Sequence, residues 1–304
     1  MNKCDTLVMV VYYKAAEKYK ADYFKSIVDQ TSKAFDLLII YDNIQPLKIS
    51  GLNVEIFEMI ISSKMTPSKI RFEGIKYAFK NGYKNIVFSD IDDYFSNNRI
   101  EVTINNLARK KFVVNRVEAV NHKKEIIQMS DLSLLVKNEN LKSYKQLLDY
   151  NTHGLTHTGI NIESIESIYI PEEILATDWW IFTTLMLQGY TGKYVSDATT
   201  YYRQSEDNLV GIQKPLDENR LFLGLRVKAV HYKHMVDYCR RLNFRDARDD
   251  YIARAKEMKD LSTAIQDQGY RTKYIDTINR KMQLIYKGWW SEILTLTQWR
   301  MYET

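Results

Sequence analysis

The sequence predicts an α/β fold: a doubly wound, mostly parallel sheet flanked by helices, with a helical C-terminal extension. Three observations predict it. Short runs of β-favouring residues without polar alternation recur between Thr6 and Ser89, the pattern of strands buried on both faces. Stretches with helical spacing stand between them, and strand–helix–strand alternation at this spacing makes a parallel sheet. From about Asp217 to the end the pattern turns helical, with few turn signals beyond Asn243 and Gly269. The chain therefore divides into an α/β part, 1–214, and a helical extension, 215–304.

The elements follow in order. Thr6–Tyr13 is a continuous β-favouring run. Tyr23 to Thr31 places apolar residues at Tyr23, Phe24, Ile27 and Val28, which is helical spacing. Phe35–Tyr41 is a second buried strand, ended by Asp42 and Asn43, and Val54–Ile61 is a third. Pro67 and Ser68 open a helix through Phe79, closed by Asn81 and Gly82. Asn85–Ser89 is the fourth strand. Lys111–Val120 and Glu125–Val136 read as a hairpin or antiparallel excursion, and Asn138–Tyr150 as a helix. Asn151–Gly159 is a polar, turn-rich loop. Thr177–Gln188 is a helix with Thr177 as candidate N-cap and Gly189 as its stop. Tyr194–Tyr202 is strand-like.

Composition excludes several classes. The chain has 304 residues, 45% of them hydrophobic, which suits a sizeable core and excludes a disordered or fibrous chain. With 4 Pro and 11 Gly there is no low-complexity linker, and no internal repeat is present. Cys4 and Cys239 lie far apart with no metal spacing, as in a reducing compartment. The first apolar run, Leu7–Tyr13, is far short of the ~18 residues of a membrane span, and no signal-peptide pattern precedes it. These features predict a cytoplasmic protein. The net charge of +5 falls entirely in 215–304, because 1–214 is balanced. Mild basicity there suits a solvated helix surface, or peripheral contact with an anionic membrane face or polyanion. No recognition motif or dense basic run points to nucleic acid.

The chemistry-bearing stretch follows the fourth strand. Asp90, Asp92 and Asp93 fall within four positions with no basic residue among them. In open α/β sheets, ligands bind at the carboxyl ends of strands. Carboxylates this close repel unless a cation neutralises them. Asp90 and Asp92 point to one side of an extended backbone, and oxygen-only donors suit Mg²⁺ or Mn²⁺. Such an ion keeps open positions for phosphate oxygens, so one reading is a metal-bridged diphosphate. The other is a solvated acidic turn, since Asp and Asn are frequent there.

Residues 19–101 resemble the N-terminal half of inverting family 2 glycosyltransferases, which have the GT-A fold. Tyr23–Thr31 resembles the family's first helix, which often ends in Gln-Thr, and Leu37–Asn43 its second strand, ending in an Asp at the nucleotide base. Ile70-Arg71-Phe72-Glu73-Gly74-Ile75 resembles its Ala-Arg-Asn-x-Gly-Ile helix, with Phe72 in place of Asn. Ser89–Asp93 falls at its Asp-x-Asp-Asp motif, and Asn98–Glu101 continues the match. Further on, Thr177–Trp180 is similar to its Glu-Asp helix start, with Thr for Glu. Leu187–Arg203 is similar to its "helix, Gly, strand, Tyr-Arg" ending, with Gln204 in place of a more frequent His, followed by Asn208 and Gly211. The likeness spans residues 5–211; the tail lies outside it.

The resemblance implies a donor that is a nucleoside diphosphate sugar, UDP-linked first, with Mn²⁺ or Mg²⁺ bridging Asp90 and Asp92 to the diphosphate. It implies Asp178 as general base, anionic at a helix N-terminus; the plain alternative is an ordinary first-turn Asp. Asp42 would meet the nucleotide base or be a turn residue. Arg71 would pair with phosphate or form a surface ion pair. Tyr12 or Tyr13 would stack on the base, and Asp93 would support ribose or water contacts. Arg203 would reach the diphosphate or partner an acid at the sheet edge. His153 and His157 suit an acceptor loop. His231 and His234, three apart on a helix, are satisfied helix residues or, for His231, a completing metal ligand. Trp179, Trp180, Trp289 and Trp290 are core residues, sugar platforms or interfacial indoles.

The expected acceptor is a hydroxyl of a glycan, lipid-linked oligosaccharide or protein. The alternatives are a non-catalytic GT-A-like binding or scaffold protein, or a phosphatase of the haloacid dehalogenase type. The phosphatase motif follows the first strand, whereas here the acids follow the fourth. A nucleotidyltransferase would need a Gly-rich N-terminal loop, and residues 12–22 contain no Gly.

Overall fold

In the computed structural model, which describes residues 3–131, 139–204, 215–281 and 290–303, a ten-stranded sheet forms around the buried strands expected from sequence. The chain forms two units: 1–143 with 152–172 and 188–207, and 144–151 with 173–187 and 208–304.

In the first unit, β1 (Thr6–Tyr13), β2 (Asp36–Asp42), β3 (Ile56–Ile61) and β4 (Asn85–Asp90) are parallel, in the order β3-β2-β1-β4. Helix α1 (Lys20–Val28) follows β1, and α2 (Pro67–Lys80) follows β3. The winding reverses between β1 and β4, with β2 on the other side of β1. The short β5 (Tyr94–Phe95) and α3 (Arg99–Leu107) follow. The sheet continues through β6 (Phe112–Val120) and β10 (Gly192–Arg203), parallel to one another. Antiparallel β9 (Thr158–Asn161) is inserted between β4 and β6.

The excursion expected after β6 is antiparallel β7 (Ile126–Asp131); positions 132–136 of the expected strand lie outside the described residues. The helix expected over Asn138–Tyr150 does not form. Instead, β8 (Asn140–Leu141) pairs with β10, and a single 3₁₀ turn covers Tyr144–Leu147. Leu141 is buried in the pairing with Gly192, so tertiary contact overrides local spacing.

Side-chain alternation builds two buried faces. Val8, Val10 and Tyr12 of β1 join Tyr23 and Ile27 of α1 in one core. On the other face α2 approaches closely: a Cβ on Gly74 would lie 2.2 Å from the Met9 sulfur and 2.6 Å from Ile40 Cδ1. Only glycine lets the helix sit there without displacing them. Thr66 caps α2 by accepting from the Lys69 amide, and Pro67 occupies the first turn, where its missing N–H costs nothing.

The second unit is helical: α4 (Thr177–Leu187), α5 (Glu218–Arg241), α6 (Arg245–Ala264), α7 (Gln268–Arg280) and α8 (Leu296–Arg300). Asp217 and Asp267 cap α5 and α7, and Thr295 and Gln298 make a reciprocal capping box on α8. Trp179 stacks on His231, with ring centroids 3.9 Å apart, and Trp180 packs edge-on against Tyr238. The buried Lys228 ammonium donates to the carbonyls of Asp149 and Ile293, each at 2.6 Å. Arg220 pairs with the buried Glu292 at 2.7 Å. Among the described residues, no helix is long and apolar enough to cross a membrane.

Candidate active site

The site grows from the strand order. Where winding reverses, the loops leaving adjacent strands diverge and open a crevice at their carboxyl ends. Here that point lies between β1 and β4, and their ends carry Tyr13 and Asp90. Tyr13 is also in register with Asp42 at the end of β2. Asp92 and Asp93 follow in the turn after β4.

The three acids have different company. Asp90 accepts from the Arg71 guanidinium at 2.6 Å, and both side chains are about one-fifth exposed. Helix α2 thus brings its Arg71 onto the first acid, the ion-pair alternative to a phosphate role. Asp93 is fully buried. Its Oδ2 accepts from Thr156 Oγ1 at 2.5 Å and its Oδ1 from the Arg203 amide at 2.8 Å. Burial first, then Asp92 and Asp90, push its carboxyl well above the usual range. Asp92 is half-buried. The Tyr13 phenol and the Arg71 guanidinium stand near enough to favour its charged form, and no salt bridge to it is present among the described residues. Burial and the adjacent Asp90 carboxylate raise it to about 6. Burial and these acids also push the Tyr13 phenol up, so it stays a donor.

This donor set fits a hard divalent cation. Asp92 offers carboxylate oxygens that no guanidinium or ammonium contacts directly among the described residues, Arg71 being spent on Asp90. Among the described residues no three His, Cys, Asp or Glu side chains form a ready metal cage. A cation held by Asp92, with Asp90 nearby, would therefore take further oxygens from a ligand. The Asp90 oxygen nearest α2 is already committed to Arg71.

Several expected positions stand elsewhere. Tyr12 points into the core against Tyr41 and has no exposed surface; period-two alternation turns Tyr13, not Tyr12, toward the acids. Asp42, half-buried, accepts from the Asn43 side chain at 2.8 Å. Arg203 is buried, and its guanidinium donates to Asp22 and to the Asp92 and His122 carbonyls. It partners an acid, the alternative to a diphosphate role. His153 and His157 are buried rather than displayed on an open loop, and burial lowers them to about 4 and about 3. His231, stacked and buried, is lowered to about 3 by burial and is a packing residue of the second unit. His234 lies 3.6 Å from Glu173. Asp178 is half-buried in the first turn of α4, where Oδ1 accepts from the Trp179 amide at 2.8 Å. Trp179, Trp180 and Trp290 are buried core residues. Asn208, Gly211 and Trp289 lie outside the described residues.

Sequence reasoning missed two residues beneath the acids. Arg99, fully buried on α3, donates to the Phe88 and Thr156 carbonyls at 2.6 and 2.7 Å and lies 4.2 Å from the Phe95 ring centroid. Burial lowers its guanidinium to about 10. Asp22, in the first turn of α1, receives both Arg203 and Lys124. The family-like stretch Asn98–Glu101 contained the first without giving it a role, and nothing in the sequence marked the second.

No family model matches the chain, and no curated protein matches it. Solved structures do. Staphylococcus aureus TarS residues 1–349, in complex with UDP-GlcNAc, matches with a TM-score of 0.51 and 18% identity over 75% of this chain. The same protein in complex with UDP matches with a TM-score of 0.50 and 16% identity over 75% of this chain. The matches span 66% and 65% of those chains, just under two thirds of their length. At this identity the likeness establishes the fold, a GT-A-like α/β architecture with a mostly parallel central sheet flanked by helices.

Proposed function

We propose that this chain is a metal-dependent, inverting glycosyltransferase of the family 2 kind. It would move a sugar from a nucleoside diphosphate sugar, UDP-linked first, to a hydroxyl acceptor in glycan or polysaccharide synthesis. One observation carries the reading: Asp92, a half-buried carboxylate raised by its surroundings, stands at the winding reversal of a GT-A-like sheet. The UDP-GlcNAc and UDP bound to the TarS neighbours support the choice of donor.

A divalent ion bound at Asp92 would neutralise charge developing on the departing diphosphate. The chain's own residues do the rest. Tyr13 stays protonated beside the acids and favours the charged form of Asp92. Arg71 holds Asp90 and brings a positive charge to the same edge. Asp178, anionic at the start of α4, accepts the acceptor hydroxyl proton. The acceptor oxygen attacks the anomeric carbon as the bond to the diphosphate oxygen breaks, and the electron pair leaves with the nucleoside diphosphate. Direct displacement inverts the anomeric centre.

A thermal-shift panel of nucleotide sugars with and without Mn²⁺ tests the donor, since a ligand at a hundred times its Kd stabilises by about 2.7 kcal/mol. A UDP-sugar should give the largest Mn²⁺-dependent shift. Asp178→Asn should nearly abolish transfer while keeping that shift. Parent-like transfer by Asp178→Asn would remove its role as base, and absence of any Mn²⁺-dependent shift would remove the donor assignment.

A further inference from the structure

We infer that Arg203 and Asp93 are positioning residues: together they form a buried clamp that holds the acid-bearing turn 91–93 in place from the far strand β10. The inference rests on the proposed use of Asp92 in donor binding, and gives Asp93 and Arg203 a different task from the donor contacts expected of them.

The clamp is reciprocal. Strand β10 ends at Arg203, whose amide donates to Asp93 Oδ1 at 2.8 Å. The side chain of the same residue turns back, and Nε donates to the Asp92 carbonyl at 2.8 Å. One residue thus grips two consecutive residues of the turn, one through its side chain and one through its main chain. The other Asp93 oxygen is held by Thr156 in the turn before β9. Both carboxylate oxygens of Asp93 therefore have protein donors, and the residue has no exposed surface.

Arg203 is itself anchored. Its Nη2 donates to Asp22 on α1 at 2.8 Å, and Nη1 to the His122 carbonyl at 3.1 Å. The guanidinium lies over the Tyr19 ring, 4.4 Å from its centroid. A side chain only 1% exposed with these partners is aimed at protein. Its planar fork serves several acceptors at once, which a lysine ammonium on a flexible stem does not reproduce. The turn it holds must present Asp92 with little freedom, because a loosely held ligand side chain loses ordering entropy on each binding event.

The first two variants leave Asp93 and Arg203 in place. Asp22→Asn weakens the anchor of Arg203 from α1, and Thr156→Val removes the hydroxyl from Asp93. Amide hydrogen exchange of segment 90–96 is measured in the ligand-free full chain, alongside UDP affinity with and without Mn²⁺. Exchange of 90–96 should accelerate at least about tenfold in both variants. The Mn²⁺-dependent UDP affinity should fall by about three- to tenfold, with the metal-independent affinity unchanged. Arg203→Lys should behave likewise, since the retained charge does not restore the fork. Parent-like exchange in 90–96 overturns the clamp whatever the affinities do. Accelerated exchange with unchanged Mn²⁺-dependent affinity overturns its role in positioning Asp92. A parent protein that binds no UDP with Mn²⁺ sinks the donor reading instead, and the exchange result still decides whether the clamp exists.

Discussion

Replacing Gly192 by alanine should destabilise the first unit by about 1–2 kcal/mol. Gly192 on β10 is in register with Phe112 of β6. A Cβ there would lie 2.1, 2.3 and 2.5 Å from three carbons of the Phe112 ring. Ordinary carbon contacts are about 3.5–4.0 Å, so the ring must retreat by about 1–2 Å. It has little room, because Phe112 is fully buried and its neighbour His153 lies at a ring-centroid distance of 5.8 Å. Overpacking of this kind costs about 1–3 kcal/mol. Alanine in place of a strand glycine recovers about 0.5–1 kcal/mol of backbone entropy, so the steric effect wins. Calorimetry should show the melting temperature of this unit fall by about 2–8 °C, at about 2–4 °C per kcal/mol. Phe112→Leu makes space, so adding Gly192→Ala to it should be neutral or stabilising, a coupling of about 1 kcal/mol or more. The reasoning is refuted if Gly192→Ala melts at or above the parent temperature, or if the two substitutions are strictly additive.

Three further outcomes are expected. His153 and His157 have folded pKa values depressed by burial from 6.5 to about 4 and about 3, so the unfolded chain binds their protons more readily. Their contribution to stability is complete above pH 6.5 and is lost as pH falls toward those values, at up to about 1.4 kcal/mol per pH unit for each. Urea melts from pH 7 to 4.5 should show a shallower decline in His153→Gln than in the parent, and an equal slope would contradict it. Asp92 is raised in the fold to about 6, so its contribution is present at low pH and lost as pH rises through 6. Mn²⁺ should offset that loss and give a larger thermal shift at pH 7.5 than at pH 5; a larger shift at pH 5 would count against Asp92 as the ligand. Lys228→Met removes the donor from the Asp149 carbonyl and the buried Ile293 carbonyl and should cost the second unit about 2–4 kcal/mol by urea unfolding, whereas a neutral result would mean the carbonyls find other partners.

Much of the fold could be read from the chain because its central strands are buried on both faces. β1 and β2 appear as unbroken apolar runs, and Pro67 and the Asn81-Gly82 pair bracket α2 closely. Helix α3 was missed because its buried stripe is Arg99, Ile100, Thr103 and Leu107. The spacing is helical, but half the stripe is polar, so apolar periodicity does not reveal it. The stretch 138–150 failed in the opposite way. Leu141, Tyr144, Leu147 and Leu148 have helical spacing, yet strand pairing with β10 claims Leu141.

At the site, the clustering of Asp90, Asp92 and Asp93 was visible, but their division of labour was not. Which acid pairs with Arg71, which stands by Tyr13 and which is buried depends on strands and helices up to about a hundred positions apart. Tyr12 and Tyr13 could not be told apart for a related reason: in a strand buried on both faces, alternation gives opposite sides without saying which side is the site.

The central claim is that Asp92 grips a divalent ion that in turn grips a nucleoside diphosphate. Calorimetric titration of UDP into the parent and into Asp92→Asn, each with and without Mn²⁺, tests it most directly. The account predicts that Mn²⁺ tightens UDP binding to the parent by at least about tenfold, or 1.4 kcal/mol. Asp92→Asn should lose that gain while melting within a few degrees of the parent. An Asp92→Asn protein that keeps the full Mn²⁺-dependent gain in UDP affinity would contradict it.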